Sequence, residues 1–201
     1  WLFLVEAPAE WRRRLDRTRE QREAMADDRA ASIDRWLASG LANARVVAAF
    51  PTVFHHASGG RTGRAEPGVG PQEHLDALLT SFLETQEYRA ITVLDRYDNE
   101  IASVPAGTKL AASCMELAHR CRESSRPVVD AHLHAGLEPV VVFAAPVMAA
   151  FQPGRAVGVV LVAVDPYQWL FPFLRHHPDA NESGETVLVS RDGDQVVFIS
   201  P

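Results

Sequence analysis

Asp130, His132 and His134 fall at alternate positions of the run Arg126-Pro-Val-Val-Asp-Ala-His-Leu-His-Ala135. Side chains on a strand point alternately to opposite faces, so a strand here puts these three on one side with Val128. Val129, Ala131 and Leu133 take the other. Two imidazoles and a carboxylate at this spacing can chelate zinc or hold a small polar ligand. The solvated face of an antiparallel sheet has the same pattern. A ligand site and a solvated face both stay open, and no metal is assigned because no further metal ligand is fixed.

Other reactive side chains carry less. Cys114, His119 and Cys121 lack the Cys-x-x-Cys-His order of covalent haem attachment. The two cysteines read as small core hydrophobes. On one helix their seven-residue separation is about 10 Å, beyond the roughly 7 Å between Cα atoms that a disulfide spans. His55-His56, beside a glycine-rich loop, and His176-His177, before Pro178, read as solvated ends. There is no Gly-x-Ser-x-Gly elbow, P-loop, His-Glu-x-x-His or dinucleotide fingerprint. No enzyme and no cofactor are expected.

The bulk of the chain suits a globular protein. Of its 201 residues 47% are hydrophobic and 23% charged, enough to bury a core. The net charge of −6 gives no basic face for nucleic acid. Lys109 is the one lysine among 20 basic residues, the composition of a high-GC bacterial genome. Internally no run reaches the 18 or so apolar residues of a membrane helix. Trp1-Leu-Phe-Leu-Val5 reads either as a short terminal segment or as the outer end of a membrane span with an interfacial Trp.

These side chains must be positioned by a few elements. Residues 9–50 carry apolar positions at helical spacing, sparse before Ile33 and broad after it, and Pro51 is expected to end that helix. Its charged early half is either a solvated face or the seam of a parallel dimer. A glycine-rich loop (58–71) and a helix (72–86) follow. Next come a strand pair about the acidic turn Asp95-Arg-Tyr-Asp-Asn-Glu100, a helix over 109–124, and strands over 128–133, 139–147 and 156–164. Short turns between the last three imply antiparallel pairing. A short helix (167–175) and a hairpin about Asp192-Gly193 complete the chain.

This order resembles the double Cache, PAS-like sensor domains of bacterial membrane receptors. The resemblance rests on the long N-terminal helix and on Ile91-Thr-Val-Leu-Asp-Arg-Tyr-Asp-Asn-Glu-Ile-Ala-Ser103. It rests also on Ala145-Pro146-Val147 leading into Gly158-Val-Val-Leu-Val-Ala-Val-Asp165, and on Glu185-Thr-Val-Leu-Val-Ser-Arg-Asp-Gly-Asp194. It implies an α+β fold, with a long helix before a five-stranded antiparallel sheet with a helical crossover. The domains implied are the helix (9–50), a membrane-distal module (72–175) and the start of a truncated second module (185–201).

The function implied is extracytoplasmic sensing in a transmembrane histidine kinase, diguanylate cyclase or chemoreceptor. The chain would be a periplasmic part of an inner-membrane protein, meeting the membrane only through spans outside it. By the same resemblance a small molecule lies under the crossover helix, among Arg126, Asp130, His132, Phe143, Tyr97 and Ser103. The sequence lacks the Arg-x-Trp-Tyr pattern by which amino-acid-binding members hold their ligand. The contrasting expectation is a module that binds no small molecule and dimerises through its N-terminal helix.

Overall fold

The computed structural model of the chain describes residues 3–59, 70–133, 138–149, 154–175, 189–192 and 195–198. His134, His176-His177, most of the glycine-rich loop, and residues 135–137 and 150–153 lie outside the described residues. The chain divides into two units, Trp1–Ser39 and Gly40–Pro201. The first is helical throughout its described length and belongs to α1 (Phe3–Ala48). On it Trp11 and Leu15, four residues apart, are both exposed.

Pro51 does more than end α1. It occupies the first turn of a second helix, α2 (Pro51–Ala57), which the sequence reading missed. Proline has no N–H to lose at that position and its fixed φ suits it, so the residue that stops one helix starts the next. Helix α3 (Pro71–Gln86) begins in the same way, and the Glu73 carboxylate accepts the Gly70 N–H at 3.1 Å. Among the described residues no single helix is long and apolar enough to cross a membrane.

The strands are β1 (Ala90–Asp95), β2 (Glu100–Val104), β3 (Val128–Leu133), β4 (Pro139–Met148) and β5 (Ala156–Val164), all antiparallel in the order β2-β1-β5-β4-β3. The crossover from β2 to β3 carries α4 (Ala112–Ser124), and α5 (Leu170–Arg175) follows β5. The fold class is therefore α+β, as expected. Strands β6 (Val189–Asp192) and β7 (Gln195–Phe198) pair as a separate hairpin.

Both faces of the sheet are covered. Helix α4 packs Cys114, Leu117, Ala118 and Cys121 against Leu94, Val140, Val142, Ala144, Val159 and Leu161. The other face carries the row Val104–Ile91–Val162–Phe143–Val129, as the strand registers require. It meets the end of α1 so closely that a Cβ on Gly40 would stand 2.3 Å from Phe143 Cζ. Helix α2 comes equally near: a Cβ on Gly158 would lie 2.8 Å from Ala57 Cβ and 2.5 Å from the Leu94 carbonyl oxygen.

Gly40 is thus in a helix for space, at some cost in helix propensity. Gly40→Ala should recover up to about 1 kcal/mol of propensity yet lose about 1–3 kcal/mol to overpacking, since Phe143 is buried. The urea midpoint should fall with an unchanged m-value, and Phe143→Leu in the same chain should restore part of the loss. A rise in the Gly40→Ala midpoint would show that the contact is not limiting.

Candidate ligand-binding face

Asp130 and Ser103 lie on the face that α4 covers. Thr92 stands opposite both Ser103 and Leu161, and Asp130 opposite Val142; Leu161 and Val142 both pack against α4. The two are at opposite margins, however. Four strand steps separate β2 from β3, about 19 Å at the usual interstrand spacing, too far for one small molecule. Between them the α4 side chains fill the face, with Leu117, Ala118 and Cys121 fully buried.

At the β2 margin the buried hydroxyls of Thr92 and Ser103 bond to each other at 3.1 Å. The sequence pointed to Ser103 but not to its partner. A threonine in an apolar strand carries no signal of a cross-strand hydroxyl, because that depends on register. At the β3 margin the Asp130 carboxylate accepts a hydrogen bond from Arg120 of α4 at 3.0 Å. Arg126, between α4 and β3, is exposed. The backbone of His132 pairs with Val140; its side chain lies outside the described atoms.

Two expected site residues are elsewhere. Phe143 is one residue out of phase with Val142, which opposes Asp130, so it points to the other face and buries against Gly40. It cannot line a pocket with Asp130. Tyr97 is at the tip of the β1–β2 turn, 70% exposed, with Arg96 over its ring at 4.8 Å.

That turn is itself well built. The Asp95 carboxylate accepts from the Tyr97 N–H (2.7 Å), the Asn99 N–H (2.9 Å) and Asn99 Nδ2 (2.9 Å). Asp98 then receives both guanidinium nitrogens of Arg122, a bidentate pair that ties the turn to α4. Arg122 holds its proton more firmly than usual, chiefly because Asp98 accepts its hydrogen bonds. The charge on residue 122 gave no hint of this, since its partner is 24 positions away.

The histidines of α2 also depart from the solvated end expected of them. His56 donates from Nδ1 to the Thr52 carbonyl at 2.8 Å. His55 is half-buried, and its buried Nε2 has no hydrogen-bond partner among the described residues.

Among the described residues, the thiols on this face are not built as nucleophiles. Cys114 and Cys121 are buried thiols. Burial pushes Cys121 up to about 12, against smaller opposing effects of the Arg122 charge and a Val128 backbone hydrogen bond. Burial likewise raises Cys114. No group of three or more His, Cys, Asp or Glu among the described residues could hold a metal ion.

No family model matches the sequence, and no curated relative does. Solved structures match the fold. The sensor domain of the V. cholerae histidine kinase DctB aligns with 73% of this chain and 55% of its own, at 13% identity and a TM-score of 0.56. The ligand-binding domain of the Pseudomonas fluorescens chemoreceptor CtaA, in complex with L-leucine, aligns with 84% of this chain and 63% of its own, at 18% identity and a TM-score of 0.53. The ligand-binding domain of the Campylobacter jejuni chemoreceptor Tlp3, in complex with 4-methylisoleucine, aligns with 76% and 60%, at 10% identity and a TM-score of 0.55. The chain thus spans less than two thirds of each. At these identities the likeness is one of fold alone.

Two outcomes follow from the buried and hydrogen-bonded groups. At neutral pH neither thiol of the native protein should react with an aromatic disulfide reagent, and both should titrate in denaturant. Burial alone would raise the Asp95 carboxyl, but the Asn99 and Tyr97 hydrogen bonds and the Arg96 charge leave it lowered. A lowered native value stabilises above the unfolded pKa, near 3.9, and that contribution is lost as pH falls through the native value. Asp95→Ala should therefore lower the urea midpoint at pH 7, with the deficit shrinking below about pH 4. A deficit independent of pH would assign the loss to packing.

Proposed function

We propose that this chain is the extracytoplasmic ligand-sensing domain of a bacterial transmembrane signalling receptor, of the histidine kinase, diguanylate cyclase or chemoreceptor type. The observation that carries the reading is the architecture: a β2-β1-β5-β4-β3 sheet between a long N-terminal helix and a helical crossover. The DctB, CtaA and Tlp3 domains share that fold. Among the described residues, the side chains that α4 packs on that face are buried and apolar or thiol-bearing.

The ligand in this reading is a small polar molecule at the β3 margin of that face. Asp130 and His132 come from the strand and Arg126 from its approach. The packed centre under α4 leaves the β3 margin, where Asp130 is partly exposed and Arg126 exposed, as a place where polar side chains meet solvent. Ser103 and Tyr97 are too far away to share that ligand. A ligand preferred by one of two arrangements of β3 and α4 would shift their populations, and α1 would carry the shift toward the membrane. Trp11 and Leu15 are the residues through which two copies of α1 would pair.

A metabolite screen by thermal denaturation tests this. A ligand at a hundredfold excess over its Kd contributes about 2.7 kcal/mol, which raises the Tm of a chain this size by roughly 5–10 °C. Asp130→Asn and Arg126→Ala should remove most of that rise while changing the ligand-free Tm little, because both side chains are partly or largely exposed. The reading fails if a broad set of organic acids, amines and sugars leaves the Tm unmoved, or if the variants keep the full rise.

A further inference from the structure

A groove of about 640 Å³ lies at the edge of the sheet; its described lining includes Ser125 and Pro127, which flank Arg126, but not Arg126 or Asp130. It exists because β3 starts late. Val128, the first residue of β3, pairs with Ala144, so β4 from Ala145 to Met148 has β5 on one side and no β3 partner on the other. Pro127 and Pro146 line that open edge together with Met148. Pro51 and Phe54 of α2 supply an apolar wall.

An open strand edge is ordinarily a place for an added strand. Here Pro146 presents no N–H to such a strand, which argues against an extended peptide as the occupant. The groove's volume falls within the usual 300–1,000 Å³ of small-molecule sites.

Among the described residues, two polar side chains line it. The Ser125 hydroxyl is committed to the Gly154 carbonyl at 2.8 Å. Arg45, in the last turn of α1, is exposed and has no acidic partner among the described residues. A guanidinium at the side of an apolar cleft matches one chemistry well: a carboxylate, which it can bind bidentately, attached to an apolar body.

We propose that this groove binds a monocarboxylate with an aryl or branched aliphatic body. The carboxylate sits on Arg45 and the body lies against Phe54, Pro127 and Pro146. The site is separate from the margin where Asp130 lies, and the assignment does not depend on the sensing function proposed above.

The test is an amide NMR titration of the whole chain with phenylacetate and with its neutral analogue phenylacetamide. Phenylacetate should give saturable shifts at Ala48, Ala49 and Ser125. Arg45→Gln should weaken it by about tenfold or more, with an unchanged circular dichroism spectrum, since Arg45 is exposed. Phenylacetamide should bind weakly and equally to both proteins. Equal phenylacetate affinity in Arg45→Gln, or no saturable shift at millimolar concentrations, would overturn the proposal. Shifts confined to Asp130 and His132 would overturn it too, while leaving the sensing proposal standing.

Discussion

Every residue of β4 from Pro139 to Val147 is buried, so the sheet cannot leave either face to water. Most antiparallel sheets solve half of this problem by being polar on one side. Here the middle strands are apolar on both, and each face must have its own helical cover. The remaining features follow from how those two covers are fitted.

On one side the cover is the end of α1 with α2, and the approach is close enough to need Gly40 above Phe143 and Gly158 beneath Ala57. On the other it is α4, which packs two buried thiols and Leu117 against the strands. The same packing that raises Cys121 to about 12 closes the centre of the face to polar ligands. Polar chemistry is displaced outward, to the Thr92–Ser103 pair at one margin and the Arg120–Asp130 pair at the other.

The covers are also tied down at their rims. Asp98 holds Arg122, and so the β1–β2 turn holds α4. Ser125 holds the Gly154 carbonyl, and so the end of α4 holds the β4–β5 turn. Asn43 donates to the Tyr88 hydroxyl at 2.7 Å, joining α1 to the entry of β1. Under the proposed function, these contacts make movement at the β3 margin costly unless α4 moves with it. Rim contacts, more than the apolar centre, would then separate one signalling arrangement from another, because side-chain hydrogen bonds are directional and apolar packing is not.

Much of this was present in the residues taken in order. Apolar runs, an acidic turn and helical spacing determined five strands, the crossover helix and the long first helix, since those depend on neighbours within a few positions. The continuous apolar run from Pro139 to Val147 already required cover on two faces. The sequence reading placed Asp130 and Ser103 in one ligand site without saying how far apart their strands lie. Three things needed the tertiary structure. The register that opposes Asp130 to Val142 moved Phe143 to the far side, because a shift of one residue exchanges the faces of a strand. The strand order put Asp130 and Ser103 at opposite edges, which no local pattern encodes. The late start of β3 opened the groove beside Arg45, for it depends on where two strands stop pairing and not on what either one contains.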